Sequence, residues 1–202
     1  MPRDKTESHE KVIEAARKEF MEYGYEKASM RRIGQRCGMT AAALYRHFVN
    51  KEAMFEALVK PAIDAMEQWM KNHIERSVDI LRHDKDGLWG NTEIDMMRNV
   101  IYPRMTEYRL LLNCSQGSKY ETFMHDLVTE HQKKLEEYLP LLKENGFKVR
   151  DISSNELHLL LTAYISALFE PVIHEYSQEE ALQCLETIEA FFMPGWKQMM
   201  GF

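Results

Sequence analysis

The chain has 202 residues, of which 45% are hydrophobic and 29% charged, with a formal net charge of −6. That length fills one large domain, or a small domain joined to a medium one, and the apolar content excludes a disordered chain. Six prolines and nine glycines leave long stretches without helix breakers, so intrinsic propensity points to an all-α protein.

The first predicted helix runs from about Thr6 to Tyr23, with Val12, Ile13, Ala16 and Phe20 at helical spacing and Gly24 as its stop. Its polar side carries Glu10, Glu14, Arg17 and Lys18. Ser29 is placed to cap a short helix that Gly38 ends, and Met30, Ile33 and Cys37 form its inner face. Thr40 caps another short helix, on which 100° per residue gathers Ala41, Leu44, Tyr45 and Phe48 on one side and Ala42, Ala43, Arg46 and His47 on the other. Asn50 then caps a long helix from Lys51, with Met54, Leu58, Ala62, Ala65, Met66 and Trp69 as its apolar positions and Pro61 as a potential kink.

The stretch His83–Thr92, rich in Asp and Gly, reads as a loop. Helices follow over about Glu93–Tyr102 and from Pro103 through Leu112, with a loop at Ser115–Ser118. Later helices span about Tyr120–Lys143, Asn155–Tyr176 and Gln178–Phe192, with a short turn after Pro194. The longest apolar run, Leu157–Phe169, falls short of the roughly 20 residues a membrane span needs. The N-terminus is charged from Arg3 onward, unlike a secretory signal. Three widely spaced cysteines, Cys37, Cys114 and Cys184, suggest neither a disulfide framework nor a metal site. A cytoplasmic protein with reduced thiols, no membrane partner, no metal and no cofactor is the expectation.

Charge is unevenly distributed. Residues 1–60 carry 12 Lys/Arg against 9 Asp/Glu, a net of +3, and the remainder 14 against 23, a net of −9. Between Gly24 and Lys51, six basic residues face one acidic residue, Glu26. A basic head on an acidic body can hold phosphates while the body repels nucleic acid from the wrong face. Two short capped helices after a longer one have the spacing of a helix-turn-helix.

The wording of this segment goes further. Tyr25-Glu26-Lys27-Ala28-Ser29-Met30-Arg31-Arg32-Ile33-Gly34-Gln35-Arg36-Cys37-Gly38-Met39-Thr40, then Ala43-Leu44-Tyr45-Arg46-His47-Phe48 and Asn50-Lys51-Glu52, closely resembles the N-terminal domain of the TetR family of transcriptional regulators. The resemblance covers about residues 7–60 and is only architectural beyond. It implies a three-helix DNA-binding domain over residues 1–50, with the helix from residue 51 as connector. A larger helical effector-binding and dimerisation domain would occupy residues 51–202. Position by position, it implies that Ser29 donates to a phosphate, Arg31 touches phosphate or a base edge, and Thr40 caps the recognition helix and contacts the backbone. Ala41, Ala42 and Ala43 would look toward the bases with Arg46 beyond them, and Tyr45, His47 and Lys51 would contact phosphates. Three alanines offer base edges no hydrogen bond, only contact with thymine methyls, so base selection is expected to lean on Arg31, Arg46 and DNA shape.

The resemblance also implies a homodimer built on the last two long helices, through Leu157, Leu161, Tyr164, Ile165, Leu168, Leu185, Ile188 and Phe192. An intramolecular core competes for the same side chains. An effector pocket is expected among Met66, Trp69, Met70, Met97, Tyr102, Met105, Tyr120, Met124 and Phe169, since pliable Met suits an adaptable apolar cavity, though these positions equally suit plain core. The function this supports is a one-component regulator, a repressor that binds double-stranded operator DNA and is released by a small, mainly apolar or aromatic effector. The alternative is a similar DNA-binding protein controlled by a protein partner without a small molecule. No nucleophile motif, phosphate loop or metal cluster supports an enzyme.

Overall fold

The computed structural model describes residues 5–83 and 92–201, with side-chain surroundings described for 7–73 and 92–201. The predicted loop at Asp84–Asn91 lies outside them. Among the described residues every regular element is helical: α1 (Lys5–Lys27), α2 (Met30–Cys37), α3 (Ala41–Leu44), α4 (Lys51–His83), α5 (Thr92–Met96), α6 (Met105–Asn113), α7 (Phe123–Glu144), α8 (Ser154–Ile173) and α9 (Gln178–Met200). A π-helical turn (Met97–Ile101) and a 3-10 turn (Tyr102–Arg104) connect α5 to α6. The residues fall into two compact units: Met1–Ala65 with Arg104–Thr122, and Met66–Pro103 with Phe123–Phe202.

In the first unit, α1 buries Val12, Ala15, Ala16 and Phe20. Gly24 breaks its helical geometry at φ 71°, a conformation only glycine adopts freely, and the chain then turns once more to Lys27. Phe20, Tyr25 and Phe55 form the aromatic centre, with Phe20 meeting Phe55 edge-on at 5.0 Å and Tyr25 meeting Phe55 at 5.3 Å. The segment around α6 closes this core. Tyr108 donates to the Ala62 carbonyl at 3.0 Å, the Tyr25 N–H to the Cys114 carbonyl at 2.7 Å, and Lys119 pairs with Glu56 at 2.9 Å. Asn50 caps α4 by accepting from the Ala53 N–H at 2.7 Å. The helix is continuous through Pro61.

In the second unit, α8 packs between α7 and α9, and α5 lies against α9. Ser153–Glu156 and Ser177–Glu180 form capping boxes at the starts of α8 and α9, each satisfying two otherwise orphaned N–H groups. Gln132 on α7 ties to α8 through the Ser154 hydroxyl at 2.8 Å and His158 at 2.8 Å. By length and composition alone α8 could cross a membrane, with a mean hydropathy of 1.3. Its inward stripe, Leu157, Leu161, Tyr164, Ile165, Leu168 and Phe169, is instead buried in this unit's core.

Two expectations need correction. The predicted turn after Pro194 is helix: α9 runs on to Met200, because Trp196, Met199 and Met200 are buried and hold the last turns down. The Arg150 N–H donates to the Met199 carbonyl at 2.8 Å, and Gly201 closes the helix in the left-handed region. The predicted helix start at Pro103 is also early by two residues. Pro103 sits in the 3-10 turn, and α6 begins at Met105.

Candidate nucleic-acid interface

The turn between α2 and α3 is built on two glycines. Gly38 ends α2 at φ 68°, ψ 29°, and the Met39 N–H bonds back to the Gly34 carbonyl at 2.8 Å. A Cβ on Gly34 would stand 2.7 Å from the Met39 carbonyl oxygen and 3.5 Å from the Ala41 nitrogen. That spacing brings α3 hard against α2. Thr40 accepts from the Ala43 N–H at 3.2 Å, as expected of a cap. Leu44 and Phe48 are buried, which anchors the short helix from beneath.

All ten residues predicted to meet DNA lie in the first unit, and their surroundings differ. Arg31, Thr40, Ala42, Tyr45 and Arg46 are exposed; Ser29, Ala41, Ala43, His47 and Lys51 are partly covered. Tyr45 corrects the helical-wheel reading, since it is 52% exposed rather than facing inward. The reason is that α3 ends at Leu44. The Arg46 and His47 N–H groups bond to Ala43 and Leu44, three residues back, so the chain tightens and the 100° step no longer applies. The same tightening turns His47 toward His9, whose ring lies 6.1 Å away.

Ser29 is the N-cap of α2 without a side-chain capping bond, contrary to expectation. Its N–H is taken instead by Glu19 at 3.0 Å. Lys51 turns its ammonium to the carbonyls of Tyr25 at 2.7 Å and Glu26 at 3.1 Å, and sits 4.3 Å over the Tyr25 ring. Burial, then the 2.6 Å bond to Glu52, pushes the Tyr25 phenol up to about 12.

Sequence reasoning passed over Glu19 and Gly34. Glu19 is fully buried and gathers Arg32 at 2.6 Å and Arg36 at 3.2 Å. The available signal was a carboxylate seven residues after Val12, on the stripe that packs inward.

The residues expected in an effector pocket are divided between the two units. Met105 and Tyr120 belong to the first unit, and Tyr120 lies 6.2 Å from Phe55 in that core. Met66, Met70, Met97 and Phe169 are buried in the second unit, and Trp69, Tyr102 and Met124 partly so. Tyr102 donates to the carbonyls of Tyr176 at 2.8 Å and Ser177 at 3.0 Å. Among the residues expected at a dimer interface, Leu157, Leu161, Tyr164, Ile165, Leu168 and Leu185 are buried inside the protomer. Ile188 and Phe192 are partly covered. Large apolar side chains exposed on these helices include Leu159, Leu160 and Phe191, at 69%, 41% and 78%.

Residues 12–58 match the family model described as bacterial regulatory proteins, tetR family. The chain is 42% identical over 55 residues to the HTH-type transcriptional repressor Rv1474c of Mycobacterium tuberculosis, a match that covers 27% of this chain and 29% of that one. It is 25% identical over 188 residues to the HTH-type transcriptional repressor AcnR of Corynebacterium efficiens, covering 90% of each. Among solved structures it is similar in fold to AibR, determined in complex with isovaleryl coenzyme A and operator DNA. The TM-score is 0.53 at 18% identity, over 92% of this chain and 98% of that one.

Proposed function

We propose that the chain belongs to the TetR family of bacterial regulatory proteins, on the match of residues 12–58 and the likeness to AcnR along most of its length, and that it is a cytoplasmic transcriptional repressor that binds operator DNA as a homodimer. The observation that carries the reading is the helix-turn-helix itself. Its turn is tight enough to demand Gly34, its second helix is capped by Thr40, and Arg31, Ala42, Tyr45 and Arg46 stand exposed around it. Ser29, Ala41, Ala43 and His47 complete the DNA-facing surface, and Lys51 supports it by holding the end of α1. A relative matched over 90% of both chains and named as a repressor points to the same activity.

Dimerisation would use the exposed apolar residues of α8 and α9, Leu159, Leu160 and Phe191, and would set two heads about 34–36 Å apart on successive major grooves. A small, mainly apolar effector would bind within the second unit, among Met66, Trp69, Met70, Met97, Tyr102, Met124 and Phe169. The neighbour solved with an acyl-coenzyme A supports a small-molecule ligand as the class of signal. The signal would reach the head through α4, which supplies residues to both units, and requires the effector to bind the DNA-free state more tightly.

The test is a gel shift with the intergenic DNA upstream of the gene, at stated salt, repeated with a ligand panel. The reading expects a discrete shifted band that one ligand class abolishes. No binding to that DNA, nor to any site recovered by selection, would sink it.

A further inference from the structure

Helix α2 carries three arginines, Arg31, Arg32 and Arg36, and the structure treats them differently. Arg31 is exposed. Arg32 gives its Nε–H to Glu19 Oε1 at 2.6 Å and an Nη2–H to the Lys27 carbonyl at 2.6 Å, and its guanidinium lies 4.3 Å from the centre of the Tyr23 ring. Arg36 gives its Nε–H to Glu19 Oε2 at 3.2 Å and its Nη2 pairs with Glu22. Glu19 also accepts the Ser29 N–H at 3.0 Å, so one fully buried carboxylate holds three donors of the α2 segment. A carboxylate out of water is tolerable only when paired and hydrogen-bonded in this way.

We propose that Glu19 is a positioning residue that decides which groups of α2 face DNA. It withdraws Arg32 and Arg36 from the phosphate backbone. By taking the Ser29 backbone N–H it does the capping work from α1, and the Ser29 hydroxyl stays available beside Arg31. With Glu19 and Glu22 in place, the two guanidinium charges are matched by two carboxylates. Non-specific DNA attraction, which scales with the phosphates neutralised, is thereby held down while the turn keeps its shape. This inference rests on the DNA-binding reading above.

The test measures binding of the full-length protein, by fluorescence anisotropy across a salt series, to a duplex recovered by binding-site selection and to a scrambled duplex of the same length. Glu19→Gln keeps the shape of the side chain but loses its charge. Its plot of log affinity against log salt is expected to steepen by about 1 to 2, since each new phosphate contact adds about 0.9. Affinity for the scrambled duplex is expected to rise more than affinity for the selected one. Adding Arg32→Gln and Arg36→Gln to that variant restores the original slope. A purely structural role predicts instead an unchanged slope, with weaker binding to both duplexes in step with loss of folded protein, and that result overturns the proposal. Should Glu19→Gln not fold, Arg32→Gln and Arg36→Gln in the native background decide the matter. An unchanged slope supports masking by Glu19, and a shallower slope shows that these arginines already contact phosphate. Failure of the unaltered protein to bind any selected duplex overturns the DNA-binding reading itself, a result distinct from an unchanged slope.

Discussion

Gly34 leaves no room for a side chain, because the atom a Cβ would meet at 2.7 Å is a backbone carbonyl that cannot rotate aside. Gly34→Ala is therefore expected to destabilise the protein by about 1–3 kcal/mol, the usual range for overpacking, measured as a lower urea midpoint. Arg31 and Arg46 are the exposed cations at the start of α2 and just after α3. Replacing either by Ala is expected to cost about 1–3 kcal/mol of binding if it contacts a base, and to relax the preferred site at one position. A binding-site selection checks this, and an unchanged preferred site for both variants would refute their role in base reading. Gly38, Arg31 and Arg46 could be singled out from the sequence. Glu19 carried only a positional mark, its place on the inward stripe seven residues after Val12, and its role shows once its partners across the fold are known.

Helix ends were legible where chemistry marks them and not where burial overrides it. Thr40 and Asn50 cap as their side chains suggest. Pro194 suggests a stop, yet α9 continues six residues beyond it because Trp196 and Met199 gain more from burial than the lost backbone bond costs. Pro194 is exposed, so Pro194→Ala is expected to raise stability by up to about 3 kcal/mol, the cost of an internal helix proline, read by calorimetry or urea denaturation. Between α5 and α8, Tyr164 donates to Glu93 at 2.7 Å. Desolvation nevertheless dominates and raises the Glu93 carboxyl above its ordinary range. A carboxyl with a raised folded pKa binds its proton more tightly in the native state. Its contribution is complete below the unfolded pKa of 4.5 and is lost as pH rises through the folded value. Glu93→Gln is therefore expected to flatten the fall in urea midpoint on the alkaline side of pH 4.5, and a steeper fall in the variant would contradict this.

At the scale of the whole molecule, the apolar residues of α8 and α9 divide into an inner and an outer set. Phe191→Asp or Leu159→Asp is expected to yield a folded monomer in sedimentation velocity, because both side chains are exposed in the protomer. Leu161→Asp is expected to unfold the second unit instead, since it would bury an unpaired charge in the core. Sequence by itself determined the all-helical class, the helix-turn-helix with its Thr40 cap and glycine turn, and the concentration of positive charge near the N-terminus. These are local properties, set by propensity, capping and periodicity within a few residues. Only the tertiary structure decided which apolar stripe of α8 faces inward, that α6 and its following loop close the core beneath α1, and that Arg32, Arg36 and Lys51 are spent on internal partners. Each of those depends on what lies across the fold, and a helical stripe or a basic side chain carries no local mark of the group it will meet.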